Sequence, residues 1–151
     1  MKHKRPFSGQ SLLEFALILP LALFLLLGFF DLGRAVFYYS SLSNAVREAS
    51  RDGIVANLTT EADFEDYLTD QVEAYGFGLN MLDMIDIDAN PVNIDTDEFI
   101  EVVEVTATYC FVPVTPGITS IISTTCTNGM NGFDLEAVSV MQMEPGKRFT
   151  E

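Results

Sequence analysis

The clearest pattern in the sequence is a long apolar run near the N-terminus. From Phe15 to Phe30 no residue is charged, and Leu12 and Leu13 extend the run on the other side of Glu14. As a helix, these positions would span roughly 28 Å, close to the ~30 Å hydrocarbon core of a bilayer. A helix in a soluble core would show a polar face, and this run shows none. The pattern therefore predicts a membrane span over about residues 12–30.

After this run the spacing of the apolar residues changes. Apolar positions now recur at three- and four-residue steps, which is typical of one face of a helix, and they are Leu32, Ala35, Val36, Tyr39, Leu42, Val46 and Ala49. Asp31 and Arg34 have the spacing of a weak helical ion pair worth ~0.2–0.5 kcal/mol. Gly53 is typical of a helix C-terminal stop. We therefore expect one long helix over 10–53, with an extra-membrane half from 31 to 53 and a kink at Pro20.

The remaining sequence, residues 54–146, predicts a small domain that begins with a short helix. Thr60 suits the start of this helix, and Gly76 and Gly78 suit its end. One face of the helix would be apolar, through Phe64, Leu68 and Val72. We expect this face to pack on the sheet or on the long helix, and the tail 147–151 to be loose.

Strand patterns follow in the second half of this domain. Residues Phe99–Phe111 are rich in β-branched and aromatic side chains, although Glu101 and Glu104 break strict alternation and suggest a bulge. Asn128–Gly132 has the composition of a hairpin loop, and Phe133–Met143 alternates as a final strand. The predicted fold class is α+β: a long N-terminal transmembrane helix that carries a small antiparallel sheet with one short packed helix.

Charge is distributed unevenly along the chain, whose formal net charge is −14. From Asp52 to Gly146, Asp52 included, there are 18 acidic residues and no lysine or arginine. Such a domain would repel phosphate backbones, so nucleic-acid binding is disfavoured. Lys2, Lys4 and Arg5 should keep the N-terminus in the cytoplasm, which would place the residues after Asp31 outside the membrane.

The two cysteines, Cys110 and Cys126, flank a loop that contains Pro116 and Gly117. In an oxidising compartment a disulfide could close this loop, and it would stabilise the fold by roughly 3 kcal/mol. Two free buried cysteines are the alternative. The sequence contains no zinc-binding spacing of cysteine and histidine, and we expect no cofactor.

Alternating oxygen-bearing side chains at Asp86, Asp88 and Asn90 raise the question of a calcium site. An EF-hand loop that began at Asp86 would have Pro91 where glycine is required, and Asp97 in place of the final glutamate. The same alternation is explained equally well by a half-exposed strand.

Glu14 is an unusual residue because a carboxylate at the edge of an apolar span costs free energy. The surrounding order is a basic leader, Gly9-Gln10, Glu14-Phe15 and an apolar helix, and it resembles the processing site of type IV pilin-like proteins. The wider pattern adds Pro20, Gly28, Asp31-Leu32-Gly33-Arg34 and the segment from Asn44 to Gly53. This combination is similar to the TadE-like pseudopilins of tight-adherence (Tad) pili.

The resemblance implies a processed and assembled protein. A prepilin peptidase would remove residues 1–9, so that Gln10 becomes the N-terminus and Glu14 the fifth residue. The new ammonium group would then lie about one helical turn from the Glu14 carboxylate, within one subunit or between two. Implied partners are membrane lipid, the peptidase, other pilin or pseudopilin subunits and the Tad assembly machinery.

Two functional hypotheses remain open from the sequence. The first is a minor pilin or pseudopilin, located in the bacterial cytoplasmic membrane or in an extracellular pilus, that acts in pilus assembly or surface adhesion. The second is a single-pass, membrane-anchored binding or sensor module with an uncut N-terminus. The sequence shows no phosphate-binding loop, nucleophile motif or metal-ligand pair, so we do not expect an enzyme.

Overall fold

A computed structural model describes residues 9–56, 61–79, 84–93, 101–118, 121 and 124–142. Residues 1–8 of the predicted leader 1–9, the Thr60 helix start and the tail 147–151 lie outside this part of the chain. The elements in chain order are two helices, α1 (Gly9–Val55) and α2 (Glu61–Tyr75), and three strands, β1 (Met84–Asn93), β2 (Glu101–Phe111) and β3 (Phe133–Gln142).

Helix α1 combines the predicted membrane span and the following amphipathic segment in one element of 47 residues. At 1.5 Å per residue this helix is roughly 70 Å long. It continues without interruption through Pro20, where the proline ring removes one backbone donor. The predicted kink at Pro20 stays a prediction.

Gly53 does not end α1, contrary to the sequence-based expectation, because the helix continues to Val55. The structure gives this glycine a different role. A Cβ atom at position 53 would lie 2.9 Å from Cε2 of Phe64 and 3.0 Å from Cδ2 of Leu68. Gly53 therefore allows α2 to approach α1 closely, and its small size matters more here than its freedom to end a helix.

Helix α2 packs along the C-terminal part of α1 through the apolar face that the sequence predicted. Phe64, Leu68 and Val72 are fully buried against a stripe of α1, whose members are Leu42, Ala45, Val46 and Ala49. Because two of the four stripe residues are alanines, the helix backbones can lie close together. After Tyr75 the chain turns away, and Gly78 has a φ of +79°, which favours glycine.

The three strands form an antiparallel sheet in the order β1-β2-β3. Strands β2 and β3 pair in unbroken register from Val102↔Gln142 to Phe111↔Phe133. The predicted bulge near Glu101 and Glu104 is therefore absent from this pairing, and the irregularity lies between Met84 and Asp86 of β1. Regular alternation along β2 already explains Glu104, because the odd-numbered residues from Val103 to Phe111 are the ones that enter the core.

The hydrophobic core lies between the inner face of the sheet and the second half of α1. Strand β2 supplies Val103, Val105, Ala107, Tyr109 and Phe111, and β3 adds Ala137. The apolar first half of α1 takes no part in this core. The fold therefore consists of a small α+β unit, called the sheet domain here (α2 and β1–β3), mounted on one side of a much longer helix.

Candidate functional site

The exposed apolar half of α1 is the first functional feature. Its most apolar stretch has a mean hydropathy of 2.5, and none of that stretch is buried within the described chain. Unburied apolar surface of this extent marks an interaction site. By length and composition the helix fits a single-pass membrane anchor.

At the N-terminal end of α1, the residues of the predicted processing site lie on exposed helix. The side-chain amide of Gln10 donates a hydrogen bond from Nε2 to Oε1 of Glu14, over 3.3 Å. Gly9 begins the helix, and Phe15 follows Glu14 on the apolar surface. The Glu14 carboxylate is thus one turn away from Gln10, within reach of a charge at that residue.

A second feature lies where the predicted membrane span ends. Asp31 is only 5 % exposed, although it belongs to the helix surface. Its Oδ1 accepts a hydrogen bond from the backbone N–H of Val114 (2.9 Å), and its Oδ2 accepts from the backbone N–H (2.7 Å) and hydroxyl (2.6 Å) of Thr115. Asp31 therefore holds the loop after β2 against α1. These contacts of Asp31 with Val114 and Thr115 are called the latch here.

Arg34 completes this latch from the next turn of the helix. Its Nη1 lies 3.2 Å from Oδ1 of Asp31. The guanidinium carbon also lies 5.4 Å from the ring centroid of Tyr38 and 5.3 Å from that of Phe111. Cations at such distances are attracted by the ring faces. Through these contacts Arg34 links α1 to the end of β2. The sequence had predicted only a weak ion pair between Asp31 and Arg34 within the helix.

The ionisation of Asp31 follows from these contacts. Burial alone would raise the pKa of its carboxyl group. The hydrogen bonds from Thr115 and Val114, together with the bond from Arg34, act in the opposite direction and prevail, so the pKa lies below its ordinary value. Asp31 is therefore a charged carboxylate at neutral pH, held by donors from three residues.

The segment Asn44 to Gly53, which carried part of the resemblance, divides into two faces. Ala45, Val46, Ala49 and Ser50 are buried between α1 and the sheet domain. Arg47, Glu48 and Arg51 are exposed, with Arg51 Nη1 3.7 Å from Glu48 Oε2. At the end of the segment, the Tyr75 hydroxyl donates a 2.6 Å hydrogen bond to Asp52, and this bond raises the pKa of Tyr75.

Cys110 and Cys126 form a disulfide in the structure, and no cysteine is left free. Both are buried next to Gly132, where a Cβ atom would lie within 3.0 Å of each sulfur. Asp134 lies near enough to make a group of three potential metal ligands among the described residues. The sulfurs are bonded to each other, however, and Asp134 accepts hydrogen bonds from Thr127, so this group is not organised as a metal site.

The calcium candidates Asp86, Asp88 and Asn90 lie in strand β1, where they pair with Thr108, Thr106 and Glu104 of β2. An extended, ladder-paired backbone differs from the tightly turned loop of an EF-hand. The backbone of this segment therefore agrees with the strand alternative.

The sequence did not point to Thr115 as a functional residue, and for Asp31 it predicted only a weak ion pair. One signal could have drawn attention to the latch. A carboxylate directly after an apolar run is costly unless it has partners, and even a bidentate bond from Arg34 would leave some of its roughly four acceptor sites without a donor. Nothing in the sequence indicated that the remaining donors would come from a loop more than eighty positions away.

Comparison with known proteins adds one finding for the first helix. Residues 9–51 match the protein family described as TadE-like protein, which confirms the resemblance over this segment. The match covers most of α1, with the Asp31–Arg34 latch, and ends before the sheet domain begins. This family is pilus-associated and is not a known enzyme family. No curated protein and no solved structure matches the chain.

Proposed function

We propose that this chain is a minor pilin or pseudopilin of a Tad-type pilus, processed by a prepilin peptidase and active in pilus assembly or surface adhesion. One observation carries the proposal. The TadE-like segment lies in a single helix whose apolar half contains no buried residue and whose other half packs against the sheet domain. Such a helix suits a subunit that first resides in lipid and later packs against like helices.

In this proposal the mechanism is assembly, and no chemical step on a substrate is involved. The basic N-terminus stays in the cytoplasm, residues 12–30 span the membrane and the sheet domain lies outside. When the subunit leaves the bilayer, apolar side chains of neighbouring helices replace the lipid chains. The ammonium group of Gln10, created by cleavage after Gly9, pairs with Glu14 of the same or a neighbouring subunit and sets their register.

Processing gives the first prediction: protein purified from its host membrane should begin at Gln10. The peptidase would cut after Gly9, so intact mass and N-terminal sequencing should both show the loss of residues 1–9. A Gly9→Leu variant, which alters only the residue before the cut, should keep Met1. A wild-type chain that retains its leader in a piliated cell would contradict the proposal and favour an anchored binding or sensor module.

Glu14 gives the second prediction. A Glu14→Ala variant should insert into the membrane normally but should fail to assemble. Leaving one member of an ion pair unpaired in a low-dielectric setting costs roughly 3–5 kcal/mol, which would weaken each subunit contact on the order of a hundredfold or more. Membrane fractionation measures insertion, and electron microscopy or sheared-pilus yield measures assembly.

The matched control for Glu14 is Gln10→Ala. This change removes the side-chain amide that bonds Glu14 but keeps the backbone amine that cleavage creates. Assembly should therefore continue in Gln10→Ala if the amine is the true partner. If Gln10→Ala abolishes assembly as completely as Glu14→Ala, while N-terminal processing is intact, the amine-to-carboxylate mechanism is wrong.

A further inference from the structure

One long stretch of this acidic protein has no charged residue at all. From Val105 to Phe133 there is no aspartate, glutamate, lysine, arginine or histidine. The described part of this stretch includes the loop after β2, where apolar side chains face solvent: Val112 is 44 %, Val114 57 % and Ile121 76 % exposed. Strand propensity explains the first residues of the stretch, but it does not explain an uncharged, exposed loop.

The latch determines where this loop lies along α1. Asp31 binds the backbone of Val114 and Thr115, so the loop is fixed at the level at which the apolar run of the helix ends. Beside it, an open groove of about 390 Å³ extends from the loop onto the helix. Its lining is apolar except for the buried carboxylate of Asp31, and it includes Pro113 and Ile118 from the loop, Phe133 from β3, and Gly28, Leu32 and Ala35 from α1.

The position of Gly28 is informative because it lies inside the predicted span. A loop residue that shares a groove with Gly28 must come close to the outer edge of the hydrocarbon layer if residues 12–30 cross the membrane. Through Pro113 and Ile118 the loop therefore meets the apolar surface of the span at this groove. Apolar surface at this depth is typical of side chains that rest in the interfacial layer of a bilayer.

We propose that the neutral surface, defined as Val112, Val114, Ile118 and Ile121, is a second membrane contact that lies in the outer lipid interface. The groove beside it accepts lipid methylene groups next to α1. Charge favours this orientation. Negatively charged headgroups repel the acidic surfaces of the sheet domain, so the side whose loop carries no charge is the one that can approach the bilayer. The inference rests on the membrane span in the proposed function.

This contact would fix the orientation of the sheet domain relative to the membrane before assembly. With the span as its one membrane contact, the sheet domain can tilt relative to the membrane and rotate about the axis of the span. A second contact, through the neutral surface, restricts both movements. The subunit would then present its other faces to neighbouring subunits and to the assembly machinery in one orientation. On entry into a pilus the neutral surface would have to leave the lipid, together with the helix.

The test uses single tryptophans, because the native chain contains none. The full-length protein would be reconstituted into vesicles of phosphatidylcholine and an anionic lipid, with acyl chains that are either ordinary or brominated. Val114→Trp and Ile121→Trp place the probe on the neutral surface. Val140→Trp is the matched control, because Val140 is 60 % exposed on the β3 face that points away from α1.

The neutral surface should bring tryptophan into the lipid at both test positions. Emission at 114 and 121 should shift to shorter wavelength, lose most of its intensity in brominated vesicles and resist aqueous acrylamide. Emission from position 140 should show the reverse. Acrylamide is preferred to iodide because the acidic domain repels an anionic quencher.

A fourth variant, Leu25→Trp, tests the span itself. If position 25 is quenched by brominated lipid while 114 and 121 stay accessible to acrylamide, the neutral surface does not contact lipid although the membrane anchor is correct. If position 25 is not quenched, the span and the inference both fail. Protection at 114 and 121 that appears only as the protein-to-lipid ratio rises would indicate a second copy of the chain and would also overturn the inference.

Each variant is checked for folding by circular dichroism before the fluorescence is interpreted. Val114→Trp lies next to the latch, and its larger side chain could disturb Asp31. Ile121 is more exposed, and it is not among the residues whose described hydrogen bonds hold Asp31. If only Val114→Trp misfolds, the result at position 121 decides the question alone.

Discussion

Replacing Asp31 with alanine is expected to lower the free energy of unfolding of the sheet domain by about 2–4 kcal/mol. The substitution removes the acceptor for the backbone N–H groups of Val114 and Thr115 and for the Thr115 hydroxyl. Thr115 is buried, so its donors cannot turn to water. A buried donor that loses its partner costs about 1–3 kcal/mol. Denaturant unfolding in detergent micelles, followed by tyrosine circular dichroism, would measure the change.

The matched control for Asp31 is Glu48→Ala. It also removes the acidic member of an i,i+3 pair with arginine on the same helix, but that pair is exposed on both sides. An exposed pair contributes ~0–1 kcal/mol, so this variant should unfold almost as the wild type does. Equal stability of the Asp31 and Glu48 variants would show that the latch adds nothing beyond an ordinary surface ion pair.

The latch should also make stability depend on pH. Because the pKa of Asp31 is lower in the folded protein than in the unfolded chain, its charged form stabilises the fold above the unfolded-state pKa. This contribution is lost as the pH falls through the folded-state pKa. The wild type should therefore lose more stability than Asp31→Ala when the pH is lowered below about 5.

Removing the disulfide is expected to lower the free energy of unfolding by roughly 3 kcal/mol. This is the stabilisation expected when a bond closes a loop of about 15 residues in the unfolded chain. Cys110 and Cys126 are 16 positions apart, and both are buried. Alanine at both positions avoids leaving a buried hydroxyl group without a partner. The double variant should unfold at lower denaturant concentration than the oxidised wild type.

Reduction provides the control for the disulfide. Treatment with a reductant under denaturing conditions should bring the wild type to nearly the stability of the double alanine variant, and it should leave that variant unchanged. The same stability for oxidised and reduced wild type would mean that the bond does not constrain this loop. A loss in the reduced wild type that greatly exceeds the loss in the variant would point to a clash between the two thiols near Gly132.

The parts of the fold that sequence patterns predicted are those whose signal is local. Helix α1 was recognisable from uninterrupted apolar character followed by helical periodicity, and α2 from the spacing of Phe64, Leu68 and Val72. Strand β2 was recognisable from its β-branched and aromatic side chains, and β3 from its alternation. In each case the side chains that decide the element are neighbours in the chain, so their pattern can be recognised without knowledge of the fold.

The errors concern residues whose role depends on distant partners. Gly53 is a helix stop by propensity, but its neighbours Phe64 and Leu68 arrive from another helix and require its small size. Glu104 suggested a bulge, but the sheet pairing shows that it simply faces away from the core. Asp31 has a partner nearby in the sequence, Arg34, which was enough to explain it. Its bonds to Thr115 could not be predicted, because Thr115 is far away in the sequence and comes close only in the folded protein.

The unbroken course of α1 has a mechanical consequence. The helix is continuous from Gly9 to Val55, and the sheet domain is attached to it at the latch, along α2 and through the core between the sheet and α1. A pull on either end is therefore carried to the other along this one helix, in which only Pro20 removes a backbone hydrogen bond. If the apolar half moved outward through the ~30 Å of a hydrocarbon core, the whole sheet domain would move outward by the same distance.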